Sequence, residues 1–257
     1  MDLRLGGKGV LVTGGGGGIG SAVARAFAAE GAKVGVHYRS SAQRAETVAS
    51  EIGGVALQAD LTVESEADGL IPRALDGLGR LDALVANAGD WPSDDTPVWE
   101  MSYERWRHYL GANLDSVFLS CRAFLRHVAT AGEGNIVIVA STAGIFGEAG
   151  HSDYAAAKGA LVAGFLKSLK NEIVRIAPSG RVNAVAPGWT ATDMTRDFIS
   201  DRDFVKGITR TMALDKLGLA DDVAAAIVNL ASDAASGHIS GEVITLAGGM
   251  EGRVLRD

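Results

Sequence analysis

Short, nearly continuous apolar runs alternate along this chain with stretches whose apolar residues recur every three or four positions. The runs are "KGVLVTG" (8–14), "KVGVHY" (33–38), "GVALQA" (54–59), "LDALVANAG" (81–89), "NIVIVAS" (135–141), "RVNAVAPG" (181–188) and "GEVITLAGG" (241–249). Helical stretches are expected between them at 21–30, 41–52, 63–78, 103–129, 154–177 and 221–232. Strands that are apolar on both sides belong to sheets covered on both faces, as parallel sheets are. The alternation predicts a doubly wound, Rossmann-like α/β sheet of about seven parallel strands with right-handed crossovers. A single domain spanning residues 1–257 is expected. Such sheets bind ligands beyond the carboxyl ends of their strands. The residues just after each run are therefore where chemistry is sought.

The first such junction reads "GVLVTGGGGGIGSAVARAF", with five glycines in a row from Gly14 to Gly18. Each glycine costs roughly 0.5–1 kcal/mol relative to alanine when it is ordered. A flexible linker would not sit between a strand and the immediate start of helical periodicity at Ile19, Val23, Ala24 and Phe27. The arrangement fits a turn whose backbone N–H groups and positive helix end face a phosphate. A G-x-G-x-x-G match exists at Gly15, Gly17 and Gly20, and a T-G-x-x-x-G-I-G frame places Thr13, Gly14, Gly18, Ile19 and Gly20. The second frame is preferred because of the residues that follow later in the chain.

In NAD-binding sheets a carboxylate closes the second strand and accepts from the ribose 2′-hydroxyl. Here that strand runs into Tyr38, Arg39, Ser40 and Ser41, with no carboxylate. Arginine forms bidentate, charge-assisted pairs with phosphate. Arg39, helped by Ser40 or Ser41, therefore predicts NADP, with NAD as the alternative.

"SDYAAAKGA" sets Tyr154 and Lys158 four residues apart, on one face of a helix. A free phenol, with a pKa near 10, is a poor base at neutral pH. A neighbouring ammonium favours the phenolate and lowers that pKa. The pair is thus a candidate general acid/base for a carbonyl oxygen. Ser141 ends the strand before it, Asn87 ends the strand "LDALVANAG", and Asn113 lies in the helix-like "LGANLDSVF".

Taken together, "TGGGGGIG", Asp60 after the third strand, "ANAG", Asn113, Ser141, Tyr154, Lys158 and "PGWTATDM" resemble the short-chain dehydrogenase/reductase family. The resemblance runs from Lys8 to about Met250 and extends to members that reduce 3-oxoacyl groups on a carrier protein. It implies that Tyr154 is the acid in reduction and the base in oxidation. Lys158 would lower its pKa and hold the nicotinamide ribose, and Ser141 would orient the substrate carbonyl. Asn113 would hold a water linking Lys158 to solvent. Hydride would come from the cofactor. Asp60 and Leu61 would meet the adenine, and Asn87, Ala88 and Gly89 the adenosine ribose side. Pro187, Gly188, Thr190 and Thr192 would meet the nicotinamide end. A homotetramer is also implied, with the long helices at 103–129 and 154–177 as pairing surfaces. The helix after Lys158, "GALVAGFLKSLKNEI", reads one residue longer than in many relatives, and the join "RIAPSGRVN" is longer too.

The substrate should contact the variable segment after "PGWTATDM", where Phe198, Ile199, Phe204, Ile208, Met212 and Leu214 suggest an amphipathic lid around 190–217. Trp91, Ile145, Phe146 and Trp189 suggest an apolar pocket for a ketone. His151 is either a substrate contact or an ordinary loop histidine. Carrier proteins are acidic and call for a basic rim. The loop "ATAGEGN" before the Ser141 strand has one glutamate and no cation. That favours a free ketone, sugar-like or polyol substrate over a carrier-bound one.

Composition acts mainly by exclusion. Twenty-four Lys and Arg against 31 Asp and Glu give a net charge of −7, which argues against a nucleic-acid partner. The lone Cys121 permits no internal disulfide and no Cys-rich metal site, and no metal is expected. The start, "MDLRLGGKG", has no apolar signal core, and no apolar run approaches the ~20 residues of a membrane span. A cytoplasmic protein without a membrane partner is expected. Two other functions compete with a carbonyl reductase: a non-catalytic dinucleotide sensor, and a redox-neutral epimerase or dehydratase of longer relatives. The presence of Tyr154 and Lys158 opposes the first. The roughly ten residues beyond the last strand leave little room for the second's substrate domain.

Overall fold

The computed structural model describes residues 2–250. The first half of the chain alternates β1 (Gly9–Val12), α1 (Gly18–Ala29), β2 (Lys33–Tyr38), α2 (Ala42–Ile52), β3 (Val55–Gln58), α3 (Glu64–Leu78) and β4 (Ala83–Ala86). There follow α4 (Tyr103–Leu110), α5 (Ser116–Ala131), β5 (Asn135–Val139), a one-turn α6 (Ala143–Phe146), α7 (Ser152–Ala160), α8 (Leu166–Glu172) and β6 (Arg181–Pro187). A two-residue bridge pairs β7 (Thr190–Ala191) with β8 (Gly218–Leu219) and encloses the short helices α9 (Arg196–Ile199) and α10 (Arg202–Thr209). The chain then runs through α11 (Ala220–Ala231) to β9 (Val243–Leu246). Seven strands form one parallel sheet in the order β3-β2-β1-β4-β5-β6-β9. The expected doubly wound α/β sheet is thus present, with its reversal between β1 and β4.

Strand residues feed two cores alternately. Leu11, Leu84, Ile136 and Ile138 pack with Leu70 and Ala74 of α3, Phe124 of α5, and Leu166 and Leu169 of α8. Val10, Val12, Val85 and Val137 pack on the other face with Val23 and Phe27 of α1, Val48 of α2 and Ile227 of α11. Each fully buried side chain of this size contributes roughly 1.5–3 kcal/mol. Cys121 lies within the first core, where burial pushes its thiol up to about 12 and leaves it an inert hydrophobe. Among the described residues, no helix is long and apolar enough to cross a membrane.

Both long helices expected from the sequence are interrupted. A π-helical turn, Gly111–Asp115, separates α4 from α5, and a second, Leu161–Phe165, separates α7 from α8. A π turn takes up an extra residue without ending the helix. The second one falls where the sequence reads one residue long.

The glycine turn is held from the neighbouring strand. Gly14 has φ +64°, which only glycine adopts readily, and its N–H donates to His37 Nδ1 at 3.0 Å. His37 Nε2 lies 3.0 Å from the Ala59 carbonyl, which assigns the ring hydrogen to Nε2. The turn, β2 and the end of β3 are thereby joined through one neutral imidazole. A Cβ on Gly20 would stand 2.2 Å from the Gly14 carbonyl oxygen, so the first turn of α1 cannot approach with any larger residue.

Burial lowers the pKa of His37 from 6.5 to about 4, with the hydrogen bond to Ala59 opposing that fall. Between those values the unfolded chain binds more protons than the folded one, so stability rises with pH. The contribution is complete above pH 6.5 and is lost as pH falls toward 4. Urea unfolding from pH 7 to 4 should show a loss of up to about 3 kcal/mol that is absent from His37→Gln. Parallel curves for the two proteins would refute this role for His37.

Candidate active site

Three adjoining cavities form one groove over the carboxyl ends of the strands, at the sheet's reversal point. The first, about 210 Å³, is lined by Gly14, Gly16, Gly17, Arg39, Ser40, Asp60, Leu61, Ala88 and Gly89. The second, about 150 Å³, adds Gly18, Ile19, Gly20, Asn87, Asn113, Tyr154, Lys158 and Thr192. The third, about 270 Å³, holds Ser141, Tyr154, Pro187, Gly188, Thr190 and Thr192. Tyr154 lines both the second and the third cavities, so its side chain stands where the groove meets the outer pocket.

All the residues expected at the site converge on this groove except Thr13. Its side chain is buried, accepts from the N–H groups of Asn87 and Ala88 at 2.9 Å each, and donates to the Val85 carbonyl at 3.2 Å. Thr13 therefore braces the groove floor instead of facing it. Asn87 Nδ2 returns the link, donating to the carbonyls of Thr13 at 2.8 Å and Gly14 at 3.3 Å. The N-cap of α1 is Gly17, and no side chain caps that helix end. The first N–H groups of a helix have no partner within it. This helix end lies beside the cavity that Gly17, Gly18, Ile19 and Gly20 line.

Asn113 sits in the first π turn and is fully buried. Its Nδ2 donates to the carbonyls of Asp90 at 2.8 Å and Tyr109 at 3.1 Å, and its Oδ1 accepts from the Asp90 N–H at 3.2 Å. A Cβ on Gly89 would lie 2.5 Å from Asn113 Oδ1 and 3.3 Å from Lys158 Nζ. Residue 89 must therefore be glycine for the two side chains to share that corner.

Lys158 is buried, and one N–H of its ammonium donates to the Val139 carbonyl at 3.0 Å. Its Nζ lies 5.7 Å from the centre of the Tyr154 ring. Burial lowers its pKa from 10.5 to about 8. Burial also pushes Tyr154 up to about 12, against the pull of its hydrogen bond with Ser141 and with a further push from the charge of Glu148. The sequence leads one to expect a phenol made acidic by its lysine. In the structure burial acts on both groups, favouring the neutral form of each. The Tyr154 hydroxyl stands beside Ser141, whose Oγ accepts from the Ala143 N–H at 3.1 Å.

Several supporting residues have no local signal in the sequence. Asp153 is fully buried, accepts from the Tyr154 N–H at 2.8 Å and pairs with Arg105 Nε at 2.9 Å. Arg105 also reaches Asp94 at 2.8 Å and Thr96 at 2.6 Å, tying α7 to the loop after β4. Only the acidic residue before the tyrosine in "SDY" hints at this clamp. Arg105 lies 48 residues away. His151 stacks on Trp91 with centres 5.0 Å apart and faces backbone carbonyls with both ring nitrogens, so it is a structural loop histidine. Trp91, Phe146 and Trp189 line the outer pocket, whereas Ile145 is exposed outside it. Phe198 and Phe204 join Trp91 and Trp189 in an aromatic cluster, and Met212 is buried, while Leu214 is exposed.

Comparison with known proteins agrees with this geometry. A family model described as enoyl-(acyl carrier protein) reductase matches residues 14–251. The chain is 38% identical over 245 residues to a 3-oxoacyl-[acyl-carrier-protein] reductase of Synechocystis sp., covering 93% of this chain and 95% of that one. It is 36% identical over 250 residues to the 3-oxoacyl-[acyl-carrier-protein] reductase FabG of Escherichia coli, covering 96% and 99%. The Chlamydia trachomatis enzyme of the same name is 32% identical, covering 97% and 100%. With the parallel sheet, the glycine turn and the Ser141–Tyr154–Lys158 constellation at its reversal point, these matches mean that the chain belongs to the short-chain dehydrogenase/reductase family of oxidoreductases.

Proposed function

We propose that this protein is an NADP-dependent carbonyl reductase, interconverting a ketone and a secondary alcohol with Tyr154 as the general acid/base. The observation that carries this reading is the position of Tyr154 between groove and pocket, with Lys158 on the groove side and Ser141 on the pocket side. The uncapped end of α1 and the glycines lining the groove suit a pyrophosphate. Arg39 and Ser40 line the far cavity, and Ser41 accepts from Arg44 Nη2 at 3.0 Å, a set suited to a 2′-phosphate. The bound dinucleotide supplies or accepts the hydride. The protein's share is orientation and proton movement. Ser141 and Tyr154 donate to the carbonyl oxygen, and Tyr154 gives it a proton in the reductive direction. Lys158 restores that proton, with Asn113 holding the water that connects Lys158 to solvent.

Residues 190–217 act as the lid of a single catalytic domain, held to the core by the aromatic cluster. The cytoplasm is the proposed compartment, in keeping with an inert Cys121.

The names of the curated relatives favour a second reading, a 3-oxoacyl group bound to a carrier protein. The lack of a cation within the loop "ATAGEGN" does not bear against it, because that loop lies at the opposite pole of the sheet, where Glu133 pairs with Lys8 and Arg80. The lid weighs more: residues 193–216 contain five Arg and Lys and five Asp, so this rim is not the basic surface an acidic carrier needs.

Carbonyl reduction followed at 340 nm should be at least about tenfold faster in kcat/KM with NADPH than with NADH. Tyr154→Phe should lose roughly a thousandfold in kcat while binding NADPH with unchanged affinity. A tenfold preference for NADH would overturn the cofactor assignment, and substantial turnover by Tyr154→Phe would overturn the role of Tyr154. A homotetramer is proposed as well, supported by exposed Trp99 and Tyr103 beside α4 and Phe118 on α5. Light scattering should give the tetramer mass, and a monomer at working concentration would contradict it.

A further inference from the structure

Glu148 lines the outer pocket with Ser141 and Tyr154, yet the reaction described above gives it no task. Among the described residues lining that cavity it is the one carboxylate. Its side chain is 26% exposed. Trp91 lines the same cavity and stacks on His151, with ring centres 5.0 Å apart. His151 Nδ1 lies 3.8 Å from Glu148 Oε1, but both nitrogens of that ring already face carbonyls, those of Ala149 at 3.1 Å and Pro92 at 3.0 Å.

A carboxylate offers about four acceptor directions. Glu148 is therefore a partly desolvated acceptor with capacity for a further donor, in the same cavity as Ser141 and Tyr154. Burial raises its pKa, the charge of His151 and the Trp91 hydrogen bond opposing, as expected of a carboxylate short of donors. A purely apolar substrate chain lying against it would displace water from the carboxylate without replacing those hydrogen bonds, at a cost in free energy. A hydroxyl on the substrate removes that cost, and a carboxylate on the substrate adds repulsion.

We propose that Glu148 makes this site selective for ketones that carry a hydroxyl beside the carbonyl, and disfavours those that carry a carboxylate there. The inference rests on the carbonyl-reductase reading and deepens it by naming a substrate class. Hydroxyacetone, butanone and pyruvate test it, because they share the ketone and differ in having a hydroxyl, a methyl or a carboxylate at the same distance. With NADPH, the wild type should favour hydroxyacetone over butanone in kcat/KM by about tenfold or more. Glu148→Leu should abolish that preference, Glu148→Gln should keep part of it, and pyruvate should gain relative to butanone in both variants. An unchanged hydroxyacetone-to-butanone ratio in Glu148→Leu overturns the inference while leaving the carbonyl reductase standing. Tryptophan quenching, read from Trp91 and Trp189 in the pocket wall, makes the same comparison without turnover. Equal relative affinities in wild type and Glu148→Leu overturn the inference whether or not the protein reduces any ketone.

Discussion

The structure depends on the burial of an ammonium and a phenol side by side, where the parallel sheet reverses. Neither group is solvated enough to be charged easily, so Lys158 falls toward about 8 and Tyr154 rises to about 12. Such a pair is stable only if its surroundings hold it rigidly. The Val139 carbonyl at the end of β5 takes one ammonium hydrogen, and the Ser141 hydroxyl stands beside that of Tyr154. The Arg105–Asp153 pair fixes the backbone of the helix that carries both. Breaking a buried ion pair by removing one partner typically costs 3–5 kcal/mol, so this clamp is part of the site and not surface decoration.

The direction of these shifts bears on chemistry. A phenol held protonated is a proton donor, which suits a carbonyl oxygen that gains negative charge as hydride arrives. A lysine that titrates near 8 can pass a proton on without a large barrier. In the proposed reductive direction, Tyr154 gives the proton and Lys158 replaces it.

Much of this was legible in the sequence, for identifiable reasons. A parallel strand buried on both faces leaves an unbroken apolar run, and a glycine turn between strand and helix is a local pattern. The spacing from Tyr154 to Lys158 is set by one helical turn. What escaped depends on contacts between distant segments. His37 reads as an ordinary strand residue until β3 brings the Ala59 carbonyl to it. Thr13 matches a cofactor motif, but its hydroxyl is committed to the ends of β1 and β4. Both π turns are invisible to a 3.6-residue period, which they shift without ending the helix. The balance between an ammonium's attraction and the cost of desolvation also depends on the burial of both groups, which spacing alone does not give.

The measurement closest to the central claim is the pH dependence of reductive kcat/KM in the wild-type enzyme, since it reports the ionisations of the free protein. If Lys158 supplies the proton that Tyr154 gives away, the rate should be level near neutrality. It should then fall tenfold per pH unit above an apparent pKa of about 8, the value that burial gives this lysine. A profile that stays level to pH 10 would contradict a buried lysine as the proton source.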